Sequence, residues 1–264
     1  MPLFEVTFIA VYTLVLAFIF GAVLASFITC TAGRILAHED WTRGFSHCDT
    51  CGHKLGILDL FPIFSYLILG GKCRYCGAKV PIRCLISEVL LAVAFTLIVL
   101  AHGVIDVVMV RNLLLAMLMM GISFCEIDGH IIHEGFITAM LVVWIGALPF
   151  VPELQLYIAD KVIACALVCG ILMLVSYMRS SRGSAPIKPE LIKLIAVFLL
   201  YTGLIYGLST VAIAFLLHSF VKPFKKTIVP ALSVCTIVFL CNMDVVKIVP
   251  YGYVTTLIDY IKVF

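Results

Sequence analysis

Ser46-His47-Cys48-Asp49-Thr50-Cys51-Gly52-His53-Lys54 and, after a spacer, Lys72-Cys73-Arg74-Tyr75-Cys76-Gly77 form one of the few polar regions of this chain. Two C-x-x-C pairs, each followed by glycine, are separated by 21 residues, close to the spacing of a four-cysteine zinc site. Each pair is a knuckle that turns two thiolates toward one point. The glycine permits the tight backbone turn, and two knuckles complete a tetrahedron around one Zn²⁺. Cys48, Cys51, Cys73 and Cys76 are the expected ligands. The competing arrangements are two structural disulfides, or thiols that merely lie near one another. A c-type haem site is excluded, because His53 stands two residues after Cys51 instead of directly after it.

Around this stretch the composition is that of a membrane protein. Of 264 residues, 63% are hydrophobic and only 12% charged, where soluble domains carry about 25% charged residues. The mean hydropathy of +1.19 agrees. Seven further cysteines (Cys30, Cys84, Cys125, Cys165, Cys169, Cys235 and Cys241) lie in or beside apolar runs, where free cysteine behaves as a small hydrophobe. A net charge of +3 is too modest to imply a nucleic-acid partner. The lipid bilayer is the expected surrounding.

The first apolar run, Val6 to Ala32, exceeds a signal-peptide core of about 7–15 residues and lacks a basic flank. It reads as a retained transmembrane helix. Further helices are expected at Leu85–Ala101, Val107–Cys125, Phe136–Phe150, Val162–Met178, Leu191–Tyr206, Leu208–Val221 and Ile228–Asn242, several of them near the lower length limit for a span. The expected fold is an all-α polytopic membrane protein of about eight transmembrane helices, with a short interfacial or re-entrant piece at Val249–Phe264. Its expected divisions are a first helix (1–33), a small zinc-binding domain (34–84) and a helical bundle (85–264).

Lysine and arginine orient it. Thr31–Cys84 holds Arg34, Arg43, Lys54, Lys72, Arg74, Lys79 and Arg83. Arg179, Arg182, Lys188, Lys193 and then Lys222, Lys225 and Lys226 fall on the same side under the eight-helix count. That puts the N-terminus outside and the cysteine knuckles in the reducing cytoplasm, which favours metal over disulfide. Too few apolar residues remain in the polar segment to build a core, so a metal staple is physically expected. Between the knuckles, Leu58 to Leu67 reads as a turn followed by an amphipathic stretch on the membrane surface.

The order Gly21…Ser26-Phe27-Ile28…Arg34, then C-x-x-C-G-x-K-L, D-x-x-P-x-x-S-Y-L, G-K-C-R-x-C and Pro81-Ile82-Arg83…Glu88 resembles the bacterial type IV prepilin peptidases. The likeness is dense over the N-terminal third. It returns thinly at Lys247-Ile248-Val249-Pro250-Tyr251-Gly252, near the family's K-I-P-F-G-P ending. Thr29 stands where the family usually has asparagine. The resemblance implies a membrane aspartic endopeptidase that cuts the basic leader from type IV pilin-like or secretion pseudopilin precursors at the cytoplasmic face of the bacterial inner membrane. It also implies methylation of the new N-terminus with S-adenosylmethionine, for which Arg83 and Glu88 are candidate binding residues, toward either the methyl donor or the leader.

Ionisable residues at membrane depth point to function. One cluster is Cys125-Glu126-Ile127-Asp128-Gly129-His130-Ile131-Ile132-His133-Glu134, and a second is Lys188-Pro189-Glu190-Leu191-Ile192-Lys193. Two carboxylates across a small gap share a proton, so that one activates water while the other protonates the leaving group. Laid on the family's D-h-D-x-x-h-I-P-D, the catalytic aspartate falls on Glu126, with Asp128 as its substitute. The second motif, G-x-G-D-h-K-L, is not spelled here, and Glu190 is the nearest acid. The catalytic candidates are therefore Glu126, Asp128 and Glu190. An alternative follows from the same residues: a catalytically inactive relative that binds pilin-type helices without cutting them. On that view the first cluster is a solvated loop, and Glu190 complements the dipole of a helix that begins at Pro189. A third class, a zinc-containing transporter or channel, would need charges within the spans, whereas most lie at helix ends.

Overall fold

A computed structural model describes residues 7–40, 45–103, 105–151, 158–220 and 228–248. The expectations for Arg43, Lys222, Lys225, Lys226 and Val249–Phe264 lie outside these residues. Nine α-helices are described: α1 (Thr7–Leu36), the short α2 (Phe64–Ile68), α3 (Ile82–His102), α4 (Val107–Gly129), α5 (Glu134–Ala147), α6 (Ile158–Ser181), α7 (Pro189–Thr202), α8 (Leu204–Phe220) and α9 (Val229–Ile248). The expected apolar runs overlap described helices, but the boundary between the sixth and seventh falls at Gly203, inside the run expected at Leu191–Tyr206. Among the described residues four segments are long and apolar enough to cross a membrane: Ile9–Leu36, Ile82–His102, Val107–Gly129 and Lys161–Ser181. Glu134–Phe150, Tyr206–Ser219 and Val229–Val238 are shorter apolar helices.

The helix ends follow from local chemistry. Asp106 caps α4 by accepting the Met109 N–H at 2.8 Å, and Pro189 opens α7 at a position where a missing N–H costs nothing. Gly103 closes α3 in a left-handed conformation.

Packing begins with α1 against α3 and α4, and α9 closes on α3, α4 and α8. Small residues let α1 approach: Ala25 and Ala32 are fully buried, and Gly21 faces the backbone of α3. A Cβ at Gly21 would lie 2.7 Å from Ala92 Cα and 2.8 Å from the Leu91 carbonyl. Close contact through small residues is how helices associate where lipid supplies no hydrophobic drive between them. On the other side α5 meets α7. There Trp144 Nε1 donates to the Leu200 carbonyl at 2.9 Å, and the Tyr201 hydroxyl donates to the Met140 carbonyl at 2.6 Å. In the centre of the bundle Ser123 and Ser233 hydroxyls meet at 2.6 Å, joining α4 to α9. Large apolar side chains on the outward faces of α1, α3 and α6, such as Phe20, Phe27, Leu90 and Leu174, are exposed. That is the surface lipid requires of a helical bundle.

Candidate metal centre and the acidic end of the bundle

The two knuckles are the same hairpin built twice, 25 positions apart. Cys48 N–H donates to the His53 carbonyl as Cys73 N–H donates to that of Ala78, and Gly52 N–H bonds to Cys48 as Gly77 N–H bonds to Cys73. The bridge His47–Lys54 is repeated by Lys72–Lys79. Gly52 and Gly77 have φ of 69° and 71°, the left-handed region that closes each turn. All four cysteines are free thiols, and their sulfurs lie within 4.8 Å of one another. The Cys48–Cys76 sulfur separation is 3.8 Å, and a tetrahedron with metal–sulfur bonds of about 2.3 Å has edges of about 3.8 Å. The group can hold a metal ion, and its donor set suits zinc.

Electrostatics agree with four thiols sharing one point. Backbone N–H groups of Cys51 and Thr50 draw the Cys48 thiol down to about 6, aided by Cys73 and Cys51. Cys76 receives an N–H from Ala78, which lowers it, but desolvation and bonds with the three other thiols push it up to about 12. One proton leaves easily and the last is held. A cation at the centre reverses the second preference.

Asp59 braces the knuckles from between them. Its carboxylate accepts the Gly56 N–H at 3.1 Å, the Arg74 Nε at 2.7 Å and the Tyr75 hydroxyl at 3.2 Å. These residues line a cavity of about 250 Å³ with Ile57 and Leu58.

The candidate residues of the bundle gather at the end nearest this domain. Glu126, buried near the end of α4, accepts the Val229 N–H at 2.8 Å and so caps α9. Asp128 pairs with Arg83 at 2.8 Å, tying α4 to the start of α3. Lys188 donates to the His130 carbonyl at 2.8 Å, and Lys193 pairs with Glu134. These two bonds bring the start of α7, with half-buried Glu190 in its first turn, to the α4–α5 turn. Lys188 is also within electrostatic reach of Glu126. Among the described residues no hydrogen bond joins Glu126 to Glu190. His133 caps α5 by accepting the Gly135 N–H, and neither it nor His130 joins a metal-ligand group among the described residues. Glu88 accepts the Ile63 N–H at 2.7 Å and a bond from Ser26. The residues that sequence reasoning missed are Val229 and Ile63. Both act through backbone N–H groups, which carry no signal in side-chain identity.

Fold and site together define a multi-pass helical membrane protein carrying a four-cysteine domain between its first two long helices. Residues 19–102 match the Bacterial Peptidase A24 N-terminal domain. The chain is similar to a prepilin leader peptidase/N-methyltransferase of Myxococcus xanthus (28% identical, over 45% of this chain and 35% of the relative). It is likewise similar to one of Bacillus subtilis (35% identical, over 30% and 32%) and one of Pseudomonas putida (24% identical, over 53% and 56%). The likeness through this region is to the type IV prepilin peptidase family. It spans about a third of the length of the Myxococcus and Bacillus relatives. No solved structure matches it.

Proposed function

We propose that this protein cleaves the leader of pilin-like or pseudopilin precursors at the cytoplasmic face of a bacterial inner membrane, with Glu126 and Glu190 as the acidic pair. The supporting observation is the meeting, at one end of the bundle, of the α4–α5 turn with the start of α7 through Lys188–His130 and Lys193–Glu134. Two glutamates on these elements approach one substrate segment from two sides. One takes the proton of water as the other gives a proton to the departing amine. Asp128, held by Arg83, orients the end of α4 and is the substitute acid.

Zn²⁺ at Cys48, Cys51, Cys73 and Cys76 orders the domain that receives the leader and takes no part in the bond cleavage. Methylation by S-adenosylmethionine belongs to the same reading. Arg83 and Glu88 are its candidate binding residues, toward the methyl donor or the leader; Arg83 pairs with Asp128, and Glu88 accepts bonds from Ile63 and Ser26. The divisions 1–33, 34–84 and 85–264, with the N-terminus outside and the cysteine domain in the cytoplasm, complete the assignment.

One observation favours a second reading, a relative that binds pilin-type helices without cutting them. The Glu126 carboxylate is already engaged by the Val229 N–H, and the G-x-G-D segment is absent from the sequence. Co-expression with a pilin-like precursor, scored by the mass of the product, separates the two. Cleavage by the native protein that falls at least ~100-fold in Glu126→Gln and in Glu190→Gln supports the acid pair. An uncut precursor that co-purifies with the native protein supports the second reading.

A further inference from the structure

The segment between the knuckles is the most apolar exposed surface of the cysteine domain. Ile57, Leu58, Phe61, Phe64, Leu67 and Ile68 are 86%, 73%, 53%, 57%, 63% and 79% exposed, and no residue of α2 is buried. Such a surface in water would be costly. Its position is set by an unusual bond. Ile63 adopts φ 63° and ψ −53°, a region unfavourable for a β-branched residue, and its N–H reaches the Glu88 carboxylate at 2.7 Å. Glu88 also bonds Ser26, which lies within the first apolar span.

The depth of that anchor is what decides the occupant. Arg83 and Asp128 pair at the charged end of α3 and α4. Glu88 lies five residues further along α3, or about 8 Å at 1.5 Å per residue. The turn at Pro62–Ile63 is thus pinned alongside the bundle, below the level of its charged rim. On the two helices that hold this anchor, Ile86, Val89 and Leu90 of α3 and Val23 and Phe27 of α1, all within a few residues of Glu88 or Ser26 along the chain, are exposed. The exposed surface between the knuckles continues that lipid-facing belt. Interfacial elements bury their apolar faces to about 5–10 Å, which matches the depth of the anchor. Lys72 and Lys79, both exposed, stand on the second hairpin just past the segment, where ammonium groups meet lipid phosphates.

We infer that residues 57–68 are an interfacial loop sunk into the headgroup–acyl boundary of the bilayer beside α1 and α3, held at that depth by Glu88. The loop fixes the cysteine domain against the membrane whatever the domain receives, so the inference stands apart from the proposed cleavage.

The test uses the full chain in nanodiscs, with a fluorescent non-canonical residue at Ile68, at Phe61 or, as a control in the exposed part of a knuckle, at Thr50. Bromine on the upper acyl carbons is expected to quench the probes at 61 and 68 at least threefold more than the probe at 50, and aqueous iodide to quench them less. Glu88→Gln, which keeps an acceptor, should preserve this pattern. Glu88→Leu should raise iodide quenching at 61 and 68 while leaving the helical circular dichroism unchanged. Iodide quenching at 61 and 68 equal to that at 50 would overturn the inference. So would protection that appears only when a precursor carrying an apolar helix is added, since the surface would then be a substrate dock.

Discussion

Asp59 shows how much one carboxylate can organise in a domain without a core. The Gly56 N–H, then Arg74 and Tyr75, hold its acid well below the usual carboxylate range. Tyr75 is raised in turn by its bond to Asp59. A carboxylate depressed in the folded state contributes stability that is present above its unfolded value of about 4. That contribution is lost as pH falls through the lower folded value. Asp59→Asn is therefore expected to speed amide exchange at Gly56 at neutral pH and to flatten its dependence on pH below about 4, as read by hydrogen-exchange mass spectrometry. Equal exchange in the two proteins would remove this role. The motif D-x-x-P-x-x-S-Y-L marked Asp59 in the sequence. Gly56 is a local partner three residues back, but Arg74 and Tyr75 lie 15 and 16 residues on, in the second knuckle, so their convergence on Asp59 was not written in any local pattern.

Among the elements, α1 and α3 depend on one missing side chain. Gly21→Val would press a branched side chain into the backbone at Leu91 and Ala92, an overpacking that costs about 1–3 kcal/mol. Gly33→Val is the control, because a side chain added at that position of the same helix would meet nothing within 4 Å of its Cβ. A thermal melt in detergent should show a clear drop in Tm for the first variant and little for the second. The apolar helices were legible because apolar runs bounded by charged or turn residues leave few alternatives in lipid. Their lengths were harder to read. α5, α7 and α9 are held by partners such as Tyr201–Met140 and Ser123–Ser233, and a hydropathy pattern does not record such contacts.

Across the whole molecule, a domain whose four cysteines can hold a metal ion is joined to a helical bundle that has its own buried core. Stripping zinc with a chelator should expose residues 46–80 to protease within minutes while the helical dichroism falls by less than about a tenth. This follows because structural zinc contributes its binding energy to folding only where the ligands are. Simultaneous collapse of the bundle would show that the two units fold as one. By itself the sequence determined the four clustered cysteines, the apolar helices and the N-terminal likeness to prepilin peptidases, since thiol spacing and hydrophobic run length are local properties of the chain. Only the tertiary structure decided what the acidic residues touch. Glu126 meets a backbone N–H 103 residues away, Glu88 one 25 residues back, and Lys193 reaches across to Glu134. A carboxylate's type is set by its codon, whereas its partner is set by which helix ends the packing brings together.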